Sequence, residues 1–305
     1  MVDDRYSDGR AGIDAVLVKR LLKAQFPRWA DLPVTPVEYD GWDNRTYRLG
    51  DEMTVRLPTH ESYAAAVEKE HRWLPVLEPR LPVPIPTPLA LGAPGEGYPH
   101  PWAVRNWLPG ETAHPERIAD MTAFAVDVAG FIRALQCIDA TAGPVAGAHS
   151  FYRGTPPSSY DDETRSSLAA LGDRVDARRA MPVWEAATES TWPGDPVWFH
   201  GDIAQGNLLV RDGELAAVID FGTSGVGDPA CDLVIAWTLF SGASREAFRD
   251  AVGQDAATWA RARGWALWKA LLVLALNLDA EPGSEIVRTN RRVIDEVLAD
   301  HERAG

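Results

Sequence analysis

His200-Gly201-Asp202-Ile203-Ala204-Gln205-Gly206-Asn207 and, thirteen residues after Asn207, Asp220-Phe221-Gly222 carry the most specific chemistry in the chain. They supply a carboxylate, an amide five residues on, and a second carboxylate. Such a set can orient a hydroxyl and hold magnesium against a triphosphate, because phosphoryl transfer asks a protein mainly for positioning and charge neutralisation. Asp202 is the candidate to accept a hydrogen bond from an acceptor hydroxyl, set it in line with a γ-phosphate and take the proton late. Asn207 and Asp220 offer hard oxygen ligands suited to magnesium. His200 is assigned to holding the loop by hydrogen bonds. Taken singly, H-G-D marks a turn, D-F-G is a weak tripeptide and Asn207 could cap a helix. The reading rests on their order between apolar runs. Val197-Trp198-Phe199 and Leu208-Leu209-Val210 flank the first motif, and Ala216-Ala217-Val218-Ile219 enters the second; all three suit small buried strands.

Upstream the pattern is one of short strands. Residues 13–26 place Ile13, Val16, Leu17, Leu21 and Leu22 on one helical side, before Pro33 and Pro36 break the chain. Gly41-Trp42-Asp43-Asn44 and Gly50-Asp51 are turn signals around Thr46-Tyr47-Arg48-Leu49, and Met53-Thr54-Val55-Arg56-Leu57 runs up to Pro58. These runs predict an antiparallel meander. Glu61 to Leu77 takes a helical period. Residues 79–88, Pro-Arg-Leu-Pro-Val-Pro-Ile-Pro-Thr-Pro, exclude a helix and favour an ordered, extended edge segment in which Leu81, Val83 and Ile85 alternate. Trp102 to Leu108 reads as a further strand, closed by Pro109-Gly110. Beyond it, helices are expected at about 115–138, 160–175, 228–241, 245–261, 263–279 and 284–301. The switch from strands to helices gives two expected domains, residues 1–106 and 107–305.

A chain of 305 residues has room for both. Its longest apolar stretch, Trp265 to Leu278, is interrupted by Lys269 and reads as a buried helix. Met1-Val2-Asp3-Asp4-Arg5 lacks the basic and apolar parts of a signal peptide. Cys137 and Cys231 alone argue against a disulfide framework or a zinc site, so a reducing cytoplasm is expected. A net charge of −14 argues against a nucleic-acid partner; it leans toward a cationic substrate, with a merely soluble surface as the plain alternative. Lysine is scarce: Lys19, Lys23, Lys69 and Lys269 stand among 30 basic residues.

With Gly227-Asp228-Pro229-Ala230-Cys231-Asp232-Leu233, a G-D-P-x-x-D-L run just after D-F-G, the motif set resembles the aminoglycoside phosphotransferase family of small-molecule kinases. The resemblance implies an α+β, bilobal, protein-kinase-like fold: a small N-terminal antiparallel-sheet lobe for nucleotide and a larger, mainly helical C-terminal lobe for catalysis and substrate. It implies Mg2+ and either ATP or GTP as phosphate donor. Asp228 reads as a helix cap with Pro229 at the first helical position, while Asp232 is implied to brace the catalytic loop. Glu70 corresponds to the glutamate that pairs with the family's nucleotide-binding lysine, and Glu68 competes for the assignment. That lysine is absent. The strand reads Thr54-Val55-Arg56-Leu57-Pro58, so Arg56 is the candidate for the α- and β-phosphates; its guanidinium forks to phosphate but is bulkier and flatter than an ammonium. With no G-x-G-x-x-G loop, Asn44 or backbone N–H groups of the Gly41–Asn44 turn would cover the phosphates. Asn106, Trp107 and Leu108 would form the hinge that reads the base. A Walker A motif and an A-P-E element are both absent, which favours a small-molecule kinase over a P-loop enzyme or a protein kinase.

By the same resemblance the acceptor faces Asp202 from the helical lobe. Asp161-Asp162-Glu163, Asp279, Glu281 and Glu285 are the acidic candidates, and Trp237, Trp265 and Trp268 the candidate walls. Three functions stay open. The first choice is phosphorylation of an aminoglycoside-type or related antibiotic. The second is a metabolic kinase acting on an amino alcohol, a sugar or a homoserine-like hydroxyl. The third is an inactive nucleotide-binding regulatory module, against which the intact Asp202, Asn207 and Asp220 speak. No nucleic-acid or membrane partner is expected.

Overall fold

The N-terminal helix shows the sequence pattern becoming structure. In the computed structural model, which describes residues 10, 12–37 and 43–304, Asp14 caps α1 (Ala15–Gln25) by accepting from Leu17 N at 2.8 Å. The buried face of α1, Leu17, Val18, Leu21 and Leu22, shares one core with residues of β1 (Val34–Pro36), β2 (Asn44–Leu49) and β3 (Met53–Pro58), among them Tyr47, Leu49, Val55 and Leu57. α2 (Glu61–Leu77), β4 (Pro88–Gly92) and β5 (Trp102–Asn106) follow. Among the described residues these strands form one antiparallel sheet in the order β1-β2-β3-β5-β4. The expected meander is present, with Thr46 opposite Arg56 and Arg56 opposite Ala103. Gly41 and Trp42, half of its first expected turn, lie outside the described residues.

The proline-rich stretch departs from its reading. α2 continues through Pro75, and Glu78–Arg80 make a 3-10 turn with Pro79 in its opening positions, where a missing N–H breaks no helical bond. Extended pairing begins later than expected, with β4 on the sheet edge; of the three alternating residues only Ile85 is fully buried.

Contacts divide the chain into two compact units, Met1–Gly110 with Ala216–Gly222, and Glu111–Leu215 with Thr223–Gly305. In the second unit β6 (Glu111–Thr112) leads to α3 (Met121–Gln136), α4 (Asp161–Leu171) and α5 (Ala177–Glu189). β7 (Val197–Phe199) and β8 (Leu208–Arg211) flank the first motif, and β9 (Glu214–Val218) carries the chain into the first unit. After D-F-G the chain re-enters the second unit through β10 (Gly225–Gly227), antiparallel to β7. Then come α6 (Ile235–Thr238), α7 (Gly242–Val252), α8 (Ala256–Leu276) and α9 (Glu285–Ala304). α8 packs against α4, α5 and α9, which is why its apolar residues show no single stripe. No helix among the described residues is long and apolar enough to cross a membrane.

Three helix readings need correction. The run expected at 245–261 is broken: Gly253 takes φ 64°, ending α7 in the left-handed region, and Asp255 caps α8 by accepting from Thr258 N at 2.7 Å. The helix expected at 228–241 is a 3-10 run over Pro229–Val234 followed by the single turn of α6. α5 has no counterpart among the expected helices; it runs through Pro182, Asp176 caps it, and Ala180, Val183, Trp184 and Ala187 supply its buried face.

Candidate active site

The loop after β7 is built from beneath. Asp232 is 1% exposed and accepts from His200 N at 2.8 Å and Gly201 N at 2.6 Å. Burial pushes its carboxyl up from the ordinary value, while His200 and the two N–H donors pull the other way. The His200 ring is buried, and its Nδ1 accepts from Asp202 N at 3.2 Å. Gly201 sits at φ 86°, where an added Cβ would lie 2.9 Å from both Thr223 O and Thr223 Oγ1. Thr223 Oγ1 in turn donates to His200 O at 2.9 Å. On this platform the Asp202 carboxylate is exposed. Asn207, from the 3-10 turn Gln205–Asn207, donates through Nδ2 to Asp202 Oδ2 and to Asp202 O, both at 2.9 Å. Asp228 caps the G-D-P-x-x-D-L turn through Ala230 N at 3.0 Å and pairs with the buried Arg261, Nε to Oδ2 at 2.6 Å.

The first unit holds a charged cluster around Arg56. From β3, Arg56 Nη2 donates to Asp220 Oδ1 at 2.9 Å, and its Nη1 lies 3.7 Å from Glu70 Oε1. Burial acts to lower the pKa of this guanidinium, but Asp220 and then Glu70 more than offset it and hold the group raised above the ordinary arginine value. Of the two competing glutamates on α2, Glu70 is buried and Glu68 exposed. Glu70 takes a bidentate pair from Arg105 on β5, at 3.0 and 2.7 Å. Sequence reasoning missed Arg105; the signal was an arginine directly after the apolar run Trp102-Ala103-Val104 in a strand-like segment, 2% exposed in the fold. Asp220 has φ 68°, a left-handed conformation uncommon for a residue with a side chain. Lys69 donates through Nζ to Gly222 O at 2.7 Å, and burial pushes its ammonium down to about 8, with Glu70 opposing.

The remaining donor-side candidates carry structural ties. Asn44 opens β2 opposite Pro58. Asn106 accepts through Oδ1 from Thr87 N at 2.6 Å. Trp107 N donates to Glu52 O at 2.7 Å, and the Arg48 guanidinium lies 3.9 Å over the Trp107 ring. Leu108 is half-buried.

A cavity of about 300 Å³ in the second unit is lined by Asp202, Arg153, Thr238, Trp265, Trp268 and Lys269 among others. Two of the three tryptophans singled out from sequence therefore reach it. Trp237 does not: it is fully buried, edge-on to Trp259 at 5.8 Å. None of the acidic candidates lines the cavity. Asp161 is engaged by Arg165 and by Trp184 Nε1, and Glu163 accepts from Trp268 Nε1 at 2.7 Å.

The sequence profile of the phosphotransferase enzyme family matches residues 34–265. No curated protein matches the chain. Among solved structures it is similar to the GDP complex of wild-type aminoglycoside 2'-phosphotransferase-IIIa, at 17% identity over 94% of this chain and 99% of that one, with a TM-score of 0.68. It is also similar to the macrolide 2'-phosphotransferase MphH from Brachybacterium faecium, at 24% identity over 91% and 98% of the two chains, with a TM-score of 0.60. A third is the gentamicin complex of APH(2'')-IIa, at 17% identity over 94% and 95%, with a TM-score of 0.60. These likenesses establish the fold: the α+β, protein-kinase-like arrangement of an N-terminal antiparallel sheet followed by a mainly helical part. With its profile matched across most of the chain, the protein belongs to the phosphotransferase enzyme family and is a phosphotransferase.

Proposed function

We propose that the enzyme transfers the γ-phosphate of ATP or GTP to a hydroxyl of a small polar molecule, with Asp202 orienting that hydroxyl. The observation that supports this reading most is the Asp202 loop. Its carboxylate is exposed and lines a cavity, while the backbone beneath it is tied to the buried Asp232. Asn207 engages Asp202 Oδ2, so the acceptor hydroxyl would donate to Oδ1. A carboxylate is a weak base, and this suits a loose transition state in which the proton leaves late. Asn207 and Asp220 would hold magnesium. One amide and one carboxylate oxygen fit a cation that keeps most of its shell for water and phosphate. Bound there, magnesium would neutralise charge on the triphosphate.

Arg56 would fork to the α- and β-phosphates, with Glu70 and Arg105 fixing its position. Asn44 would lie near the phosphates, and the backbone of Asn106, Trp107 and Leu108 would read the base. Nucleotide binding thus falls to the N-terminal residues, about 1–106, and acceptor binding to 107–305, in an enzyme of the cytoplasm. Solved relatives crystallised with kanamycin and gentamicin make aminoglycoside-type antibiotics, and hence antibiotic resistance, the first class to test. A metabolic hydroxyl compound is the second reading, favoured by a cavity lining that holds Arg153 and Lys269 and only one acid.

Purified protein assayed for nucleotide consumption tests this, with ATP and GTP, with and without magnesium. Asp202→Ala is expected to abolish turnover while nucleotide binding persists. Unchanged turnover would remove Asp202 from its role.

A further inference from the structure

We infer that Lys69 is a positioning residue for Asp220: by tying the Gly222 carbonyl to α2, it holds the D-F-G turn where the Asp220 carboxylate would meet magnesium. This rests on reading Asp220 as a magnesium ligand. Lysine is scarce in the chain, yet one of its few lysines stands here.

The contact joins residues 153 apart in sequence, both in the first unit. Lys69 Nζ donates to Gly222 O at 2.7 Å, a bond strengthened by the charge on the donor. Ala66, Lys69 and Glu70 stand at i, i+3 and i+4 on α2 and so share a face. That face lies against the turn. A Cβ placed on Gly222 would be 3.8 Å from Ala66 Cβ and 3.6 Å from Asp220 Oδ1. Burial disfavours the charge on Lys69, so the ammonium sits here at a cost to folding. An apolar side chain would avoid that cost, and stability alone does not account for the residue.

Asp220 needs such support. Its φ of 68° is one that a residue with a side chain keeps only where its surroundings enforce it. Two ties meet at the turn. Arg56, beside Glu70, holds the Asp220 carboxylate at Oδ1. Lys69, the neighbour of Glu70 on α2, holds the backbone two residues on. The first tie fixes where the side chain points; the second fixes the path of the chain that carries it. Phe221, between the two tied residues, is fully buried, which leaves the turn little freedom. A lysine suits the task because its compact ammonium meets a single carbonyl oxygen, whereas a guanidinium spreads its donors over a plane.

The test uses the full chain at pH 7 and reads magnesium binding and stability separately. Magnesium is titrated by calorimetry at fixed ATP or GTP, and urea midpoints are measured on the same samples. Lys69→Met should weaken the apparent magnesium affinity about ten- to a hundredfold, the usual effect of losing a residue that orients a metal ligand. Its urea midpoint should stay level or rise, because the cost of a buried charge leaves with the ammonium. Lys69→Arg should recover part of the magnesium affinity. An unmoved titration, or one that weakens only as the midpoint falls, overturns the inference and leaves Lys69 a structural tie. Lys69→Gln, which keeps a neutral donor, stands in should Lys69→Met not fold, and is judged by the same two readings. Asp220→Ala keeps two failures apart. If it too leaves the titration unchanged, the assignment of Asp220 to magnesium has failed; if it alone weakens the titration, only the role of Lys69 has.

Discussion

Glu70 and Asp232 are both buried carboxylates, and they are satisfied in different ways. Glu70 meets side chains, with Arg105 in a bidentate pair and Arg56 at 3.7 Å. Asp232 meets backbone, the N–H groups of His200 and Gly201. The first arrangement ties α2 to β3 and β5 through flexible side chains, and its charges close on one another. The second fixes the path of the chain itself, because a backbone N–H cannot swing away without moving the loop. That is how Asp202 stays exposed and still holds its place. A carboxylate proposed to orient a hydroxyl needs a rigid support more than it needs burial.

Changes to each carboxylate should separate chemistry from support. The largest effect is expected at Asp202. Replacing it with alanine should lower kcat by about a hundred- to ten-thousandfold, the usual range for a positioned acid–base group. Its exposed side chain should leave the melting temperature nearly unchanged; a large drop there would show that Asp202 is part of the scaffold.

Glu70→Ala should act in the opposite sense, on stability first. It leaves Arg105 buried without its partner, a change that costs about 3–5 kcal/mol, read as a shift of the urea midpoint. A midpoint within error of the parent would show that the pair does not hold α2 to the sheet. Asp232→Asn keeps one acceptor oxygen and orphans one buried N–H, for about 1–3 kcal/mol. Because that N–H belongs to the loop that carries Asp202, the proposed catalytic carboxylate, kcat should fall as well; stability lost with kcat intact would break the link between Asp232 and Asp202.

The smallest effect is a pH dependence. Lys69 is pushed from 10.5 down to about 8 by burial. Between those values the unfolded chain binds more protons at this site than the folded one, so its contribution to stability rises with pH across that window. Below about 8 both states carry the proton, and the cost of burying the charge is fully present. Urea midpoints measured from pH 7 to 10.5 should therefore show a rising component that Lys69→Met removes; identical slopes would refute it.

Much of this was legible before folding. α1 and the meander follow from apolar spacing and turn residues. The cap at Asp228 and its turn follow from Asp-Pro chemistry within three residues. What stayed hidden depended on separation along the chain. Glu70 finds Arg105 across 35 residues, and only the register of β5 beside β3 brings that arginine inward. α5 keeps its helix despite Pro182 because packing against α8 rewards its buried face. Trp237, Trp265 and Trp268 look alike as letters, yet one is core and two line the cavity.

The order of Asp202, Asn207 and Asp220, and the caps that shape their turns, belonged to the sequence alone, since such interactions reach only a few residues. Which charges meet was settled by the tertiary structure. Arg56 between Glu70 and Asp220, and Arg153 over Trp268, arise from strand register and helix packing. Those forces act over the whole fold and leave no local trace in the chain.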